Sequence, residues 1–463
     1  MDRWKTTATL TGKGMQLSEL ISALSHALDM TEGQPPGHCM RCCWIGMQLS
    51  QQLALSEEQR WELYYTLLLK DLGCSSNAAR ICELYGTDDL TFKRDFKWVD
   101  GSLSQVVRFL LQHTGRDAGM AERFRKMLKL AREGDQLANE LISTRCERGA
   151  AIARDLGFGE AVAAGIHSLD EHWSGEGRPE RLSGEQIPLY SRIALLAQVV
   201  DVFHTAAGSA AALAEARARR GQWFDPVLVD ALEQAVQAPE FWTTLGSDLL
   251  PQAVLALSPA GHRVDVDEDY LDRVAAAFGQ VVDAKSPYTA GHSERVALYT
   301  DMIAEQLGLS DVRRRWLKRG ALLHDVGKLG VSNSILDKPG KLDADEWAQV
   351  QNHARFTEEI LGRIGAFAEL AQVAGAHHER LDGRGYPRGL EADAISLETR
   401  IITTADIFDA ITAERPYREA IPLTRALQIM DESVGSALDA RCLEALKQAV
   451  SRLELREGLV EVG

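Results

Sequence analysis

GHSERVALYTDMIAEQLGLSDVRRRWLKRGALLHDVG, residues 291–327, decides the fold. Apolar residues recur at helical spacing over 293–307 and again over 311–324, with Gly308-Leu309-Ser310 between them. The stretch ends on an adjacent His324–Asp325 pair, with Lys328 just beyond. The same pattern stands earlier in the chain. GHCMRCCWIGMQLSQQLALSEEQRWELYYTLLLKDLG (37–73) matches it at a constant offset of 254, without a gap, and 13 of 37 positions are identical. At an offset of 208 the likeness resumes: EHWSGEGRP (171–179) with ERLDGRGYP (379–387), and IPLYSRIALLAQVVDVF (187–203) with ISLETRIITTADIFDAI (395–411). The chain therefore holds two copies of one unit.

Helical spacing continues through 15–30, 37–54, 56–72, 101–112, 187–204, 225–237, 268–284, 345–363, 366–376, 397–412, 422–434 and 440–453, and strand alternation is scarce. The expected fold is all-α, two tandem helical bundles. The first copy spans 1–237 and carries an insertion at about 75–144. A linker is placed at 238–265, where Pro239, Pro251, Pro259 and Gly261 break helices, and the second copy covers 266–463.

A net charge of −16 excludes the broad basic face of a binder of nucleic-acid polymers. It leaves room for a small phosphate substrate, because bound metal ions dominate a local field. No apolar run reaches the ~20 residues that span a bilayer. The N-terminal MDRWKTTATLTGKG lacks a secretory apolar core, so a cytoplasmic, reducing location is expected, without disulfides. Cys39, Cys42 and Cys43 lack a second pair to complete a zinc motif and are assigned to helix packing.

The second copy gathers His292, His324, Asp325, His353, His377, His378 and Asp406. Imidazole and carboxylate are ligands for borderline first-row metals, and seven of them suggest more than one ion. The first copy keeps His38 and Asp71 at matched positions. It puts Lys70 for His324, Arg145 for His353, Leu169 and Asp170 for His377 and His378, Gln198 for Asp406 and Cys74 for Lys328. It retains the scaffold and is expected to have lost the chemistry.

Five motifs, YTAGHSERVA (288–297), LLHDVGK (322–328), NHARFTEEIL (352–361), AHHERLDGRGYP (376–387) and ADIFDAITAERPYRE (405–419), make the second copy resemble the HD-GYP subgroup of HD-domain phosphohydrolases. The first copy resembles it more weakly, as a degenerate HD-type domain. The resemblance implies a phosphodiesterase that hydrolyses cyclic di-GMP to pGpG or GMP through a metal-bridging hydroxide. It assigns one ion to His292, His324, Asp325 and Asp406, and a second, bridged by Asp325, to His353, His377 and His378. Iron or manganese is the implied metal. Tyr288 stands where members with three ions carry a glutamate, which favours two. Lys328 is implied to contact a phosphate oxygen or protonate the leaving group. Tyr386, Arg415 and Arg418 are implied to bind substrate, and Glu379 and Asp382 are expected to orient ligand imidazoles. Two other readings stand beside this one: hydrolysis of another nucleotide, such as a different cyclic dinucleotide, and a low-turnover cyclic di-GMP receptor or scaffold. The first copy is expected to be a non-catalytic regulatory or interaction domain, acting through a homodimer or a protein partner.

Overall fold

The computed structural model describes residues 15–99, 102–115, 119–259, 264–413 and 420–460. Among them the regular elements are all helices, joined by turns and three isolated β-bridges. The repeated stretch folds alike in both copies. Helices His38–Gln52 and Glu57–Leu69 correspond to His292–Gln306 and Asp311–Leu323. Ser56 and its counterpart Ser310 start the second helix of each pair, accepting hydrogen bonds from the backbone amides of Gln59 and Arg313. Helices Leu189–Ala207 and Leu397–Thr412 complete each copy's centre.

Two boundaries gain detail. The segment given to a linker carries helices Glu240–Leu245 and Leu250–Ala256, whose Phe241, Leu245, Leu250 and Val254 are buried. They pack on helix His38–Gln52, where the Trp44 indole donates to the Phe241 carbonyl at 3.1 Å. Proline starts each helix, Pro239 as the cap of the first and Pro251 in the first turn of the second, and their apolar faces find a core. The insertion, too, has no break at 144. Helix Met120–Asp155 runs unbroken from the inserted residues into the repeated unit, whose counterpart is Ala344–Gly362. The insertion also builds a small core of its own from Tyr85, Phe92, Phe109 and Leu137.

The two copies share one continuous hydrophobic core. Helix Leu17–Thr31 packs against the turn Val326–Gly330 and helix Ala344–Gly362 of the second copy. Asp89, fully buried in helix Asp89–Phe96 of the insertion, reaches further. It accepts from the Asn333 amide at 2.8 Å and the Ser332 hydroxyl at 3.3 Å, with the ammonium of Lys285 at 3.5 Å and that of Lys93 at 3.7 Å. An ion network thus lies inside the interface.

No helix of the described residues is long and apolar enough to cross a membrane. The seven cysteines are free. Cys39, Cys42 and Cys43 are buried in helix His38–Gln52, and burial pushes all three thiols up, which keeps them protonated and supports their reading as packing residues.

Candidate metal centre

His324 closes helix Asp311–Leu323, and the chain then tightens into the turn Val326–Gly330. Gly327 permits that turn: a Cβ there would lie 2.0 Å from the His353 carbonyl oxygen. Its counterpart Gly73 lies as tightly against the Arg145 carbonyl. Thr357 clasps the turn, donating to the His324 carbonyl at 2.9 Å and accepting from the Gly327 amide at 3.0 Å. The His324–Asp325 pair is thereby pressed against the helix that carries His353.

All seven expected ligands meet. Asp325 lies between two groups and gives one oxygen to each. Its Oδ2 is 3.4 Å from Nε2 of both His292 and His324, and Asp406 Oδ1 lies 3.5 Å and 3.8 Å from the same nitrogens. Its Oδ1 is 3.5 Å from His353 Nε2 and 3.7 Å from His377 Nε2. His378 joins these two imidazoles, the ligand atoms of all three lying within 4.8 Å of one another.

The ring orientations are fixed from behind. Nδ1 of His324, His353 and His377 faces the carbonyl oxygen of Ala321, Val350 and Ala374 at 2.7, 2.5 and 2.6 Å. A carbonyl only accepts, so each Nδ1 carries the proton and each Nε2 offers its lone pair to the centre. Each ring sits three residues beyond its acceptor; Ala321 and Ala374 lie in the last turn of their helices, and Val350 lies within helix Ala344–Gly362. His292 uses a side chain instead: its Nδ1 donates to Asp409 Oδ2 at 2.7 Å, and Arg295 holds Asp409 Oδ1 at 2.6 Å.

Nε2 of His292 and of His324 and Oδ1 of Asp325 are buried without a hydrogen-bond partner. Orphaned buried acceptors are costly, and divalent metal bound among them would satisfy all three, so the donor set fits divalent metal. Burial pushes His353 down to about 4 and His378 down to about 3, so both are neutral donors. Burial also lowers His292, but Asp325, Asp409 and Asp406 outweigh it and hold this ring up at about 9. Burial would raise Asp325, yet His324 and Lys328 hold it well below the usual carboxylate range.

Lys328 donates to Asp325 Oδ2 at 2.5 Å from a partly exposed position at the rim. Tyr386 stacks beside His378, with ring centroids 4.8 Å apart. Arg415 and Arg418 lie outside the described residues. Glu379 and Asp382 do not orient imidazoles. Glu379 is buried and accepts from the amides of Arg388 and Leu390 at 2.7 and 2.8 Å, tying down the loop that carries Tyr386. Asp382 accepts from Arg380 and the Arg384 amide. The orienting carboxylate is Asp409, which the sequence reading missed. One signal pointed to it: the first copy keeps Asp201 at that place while losing the counterpart of Asp406.

The matched positions of the first copy are arranged differently. His38 Nδ1 donates to Asp201 at 2.6 Å, and Arg41 holds Asp201 at 2.6 Å, as in the second copy. In front of them the buried Lys70 ammonium binds Asp71 and Gln198 and lies 3.1 Å from His38 Nε2. Lys97 of the insertion adds a second ammonium, on Gln198 at 2.9 Å and Glu32 at 2.7 Å. Arg145, at the place of His353, pairs with Asp170. Tethered cations stand where the second copy gathers free donor atoms.

The HD domain family model matches residues 116–228 and 277–442, hence both copies. The chain is 60% identical over 437 residues to 3'3'-cGAMP-specific phosphodiesterase 3 of Vibrio cholerae serotype O1, covering 94% of this chain and 95% of that protein. It is 40% identical over 190 residues to the cyclic di-GMP phosphodiesterase response regulator RpfG of Xanthomonas campestris pv. campestris, covering 41% of this chain and 49% of that one. A crystal structure of a cyclic GMP-AMP specific phosphodiesterase of V. cholerae, V-cGAP3, superposes with a TM-score of 0.65 at 54% identity, covering 94% of this chain and 97% of that one. With the whole length matched and the donor set assembled, the chain belongs to the HD domain family, as a metal-dependent phosphodiesterase of its HD-GYP group.

Proposed function

We propose that the second copy hydrolyses a phosphodiester bond of a cyclic dinucleotide, 3'3'-cGAMP in preference to cyclic di-GMP. The observation that carries the reaction is Asp325, whose two oxygens face two separate clusters of donors. The substrate preference rests on the full-length relative, which is specific for 3'3'-cGAMP, whereas the cyclic di-GMP relative named above matches less than half of the chain. Of the two nucleotides considered from sequence, this favours the different cyclic dinucleotide over cyclic di-GMP. A receptor with little turnover is disfavoured by the complete donor set and by Lys328 at its rim.

In this reading His292, His324, Asp325 and Asp406 hold one ion and Asp325, His353, His377 and His378 the other, with iron or manganese taken from the family resemblance. Two divalent ions, when bound, supply a Lewis acid for a phosphate oxygen and a strongly acidified water. The chain's own residues do the rest. Asp409 keeps a proton on His292 Nδ1, which fixes the coordinating face of that ring. As a P–O ester bond breaks and water oxygen joins phosphorus, Lys328 Nζ gives a proton to the departing oxygen or neutralises the phosphate. Tyr386 lines the pocket, with Arg415 and Arg418 as phosphate contacts. The first copy takes no part in the chemistry and serves as a regulatory or interaction body.

The test is metal-loaded protein offered 3'3'-cGAMP and cyclic di-GMP separately, with products resolved by chromatography. Faster cleavage of 3'3'-cGAMP is expected. Faster cleavage of cyclic di-GMP would overturn the preference, and cleavage of neither would overturn the reaction.

A further inference from the structure

Trp347 is 47% exposed, among the most exposed aromatic side chains of the described residues. It lies in the first turn of helix Ala344–Gly362, the helix that carries His353. It is not stranded on open surface. Its ring meets Tyr386 edge to face at 6.1 Å, Tyr386 lies 4.8 Å from the His378 ring and 6.2 Å from that of His353, and those imidazoles belong to the metal cluster. A continuous aromatic row thus leads from the ligands out to solvent, with the indole at its outer end. The buried Glu379 ties down the loop that carries Tyr386 through the amides of Arg388 and Leu390.

We propose that Trp347, backed by Tyr386, is a stacking platform for a purine base of the substrate. The inference rests on the cyclic dinucleotide reading of this site. Such a substrate carries a flat base one sugar away from each phosphate. With one phosphate at the metal cluster, a base falls alongside the row. Indole–base stacking is favourable for every base because each has a π-face, so it contributes affinity without base identity. Trp347 therefore raises affinity for 3'3'-cGAMP and cyclic di-GMP alike, and discrimination between them resides elsewhere. The residue is exposed, so its replacement leaves the core intact.

Steady-state kinetics on Trp347→Ala and Trp347→Phe holoenzymes test this, with metal content and hydrolysis of methyl p-nitrophenyl phosphate, which has no nucleobase, measured in parallel. Trp347→Ala is expected to raise KM for both cyclic dinucleotides roughly tenfold while kcat stays within about twofold. Trp347→Phe should recover most of the loss, and methyl p-nitrophenyl phosphate turnover and metal content should not change. An unaltered KM would overturn the platform, as would a parallel loss with the base-free ester, which would make Trp347 a support of the metal cluster. Calorimetric binding of a phosphorothioate analogue of 3'3'-cGAMP to the same holoenzymes separates the two proposals. Weaker binding by Trp347→Ala keeps the platform even if wild type cleaves no cyclic dinucleotide, and equal binding overturns it.

Discussion

At the residue scale the centre is a set of donor atoms whose protons have been placed by their neighbours. Asp409 does this for His292, from the side away from the cluster. Asp409→Asn keeps the shape but removes the charge that holds the Nδ1 proton, so metal affinity should fall about 10- to 100-fold. Titration with a competing chelator reads this directly, and unchanged affinity would remove Asp409 from the account. The His292 ring also couples metal uptake to pH. Its value of about 9 in the fold lies above its ordinary 6.5. For the metal-free protein this group's stabilisation is complete below about pH 6.5 and is lost as pH rises through about 9. Metal binding works in the opposite sense, because it needs the neutral ring, so uptake at pH 7 should release protons. Calorimetry in buffers of different ionisation enthalpy measures that release, and none would mean that His292 is already neutral. The seven ligands were legible in the sequence because they fall in quoted motifs of the second copy, whereas the first copy replaces five of them at matched positions. Asp409 was not, since a second aspartate three residues after Asp406 looks like any charge on a helix.

At the scale of elements, the helices that the two copies share were legible from apolar spacing, whereas Met120–Asp155, Glu160–His167 and Ser209–Ala218 went unread. The inserted segment was not legible either. Its residues 87–99 are rich in charge, yet Asp89 and Lys93 are buried there. The partners that make this tolerable, Lys285 and the Ser332–Asn333 turn, are about two hundred or more positions away, beyond what local pattern can signal. Removing Asp89 leaves two ammonium groups buried without their counter-charge. Asp89→Ala should therefore cost about 3–5 kcal/mol, whereas an exposed acid costs a fraction of that. Thermal unfolding of the full chain checks it, and a loss below about 1 kcal/mol would show that the network relaxes. Lys70→Ala is expected to be as harmful in the first copy, because Asp71 would lose its cation, but it should leave the metal content of the protein unchanged.

At the scale of the whole molecule, the repeat was read from sequence and the shared core was not. Matching segments reveal common ancestry, but the residues by which the copies bind each other need not match. Leu20, Leu24 and Leu28 look like the stripe of any amphipathic helix, and only the fold shows that their helix packs on the turn after Asp325. Residues 266–463 made alone would expose the surface now covered by helix Leu17–Thr31 and by Asp89. That fragment should bind the hydrophobic dye ANS and unfold at a lower temperature than the full chain. The same architecture divides the labour between the copies. One has kept open donor atoms around Asp325, and the other has closed its counterpart with Lys70 and Lys97. The most direct test is an anomalous X-ray scattering map of metal-loaded crystals. Two peaks flanking Asp325, with none between His38 and Asp71, are expected. A peak in the first copy, or none beside Asp325, would contradict the account.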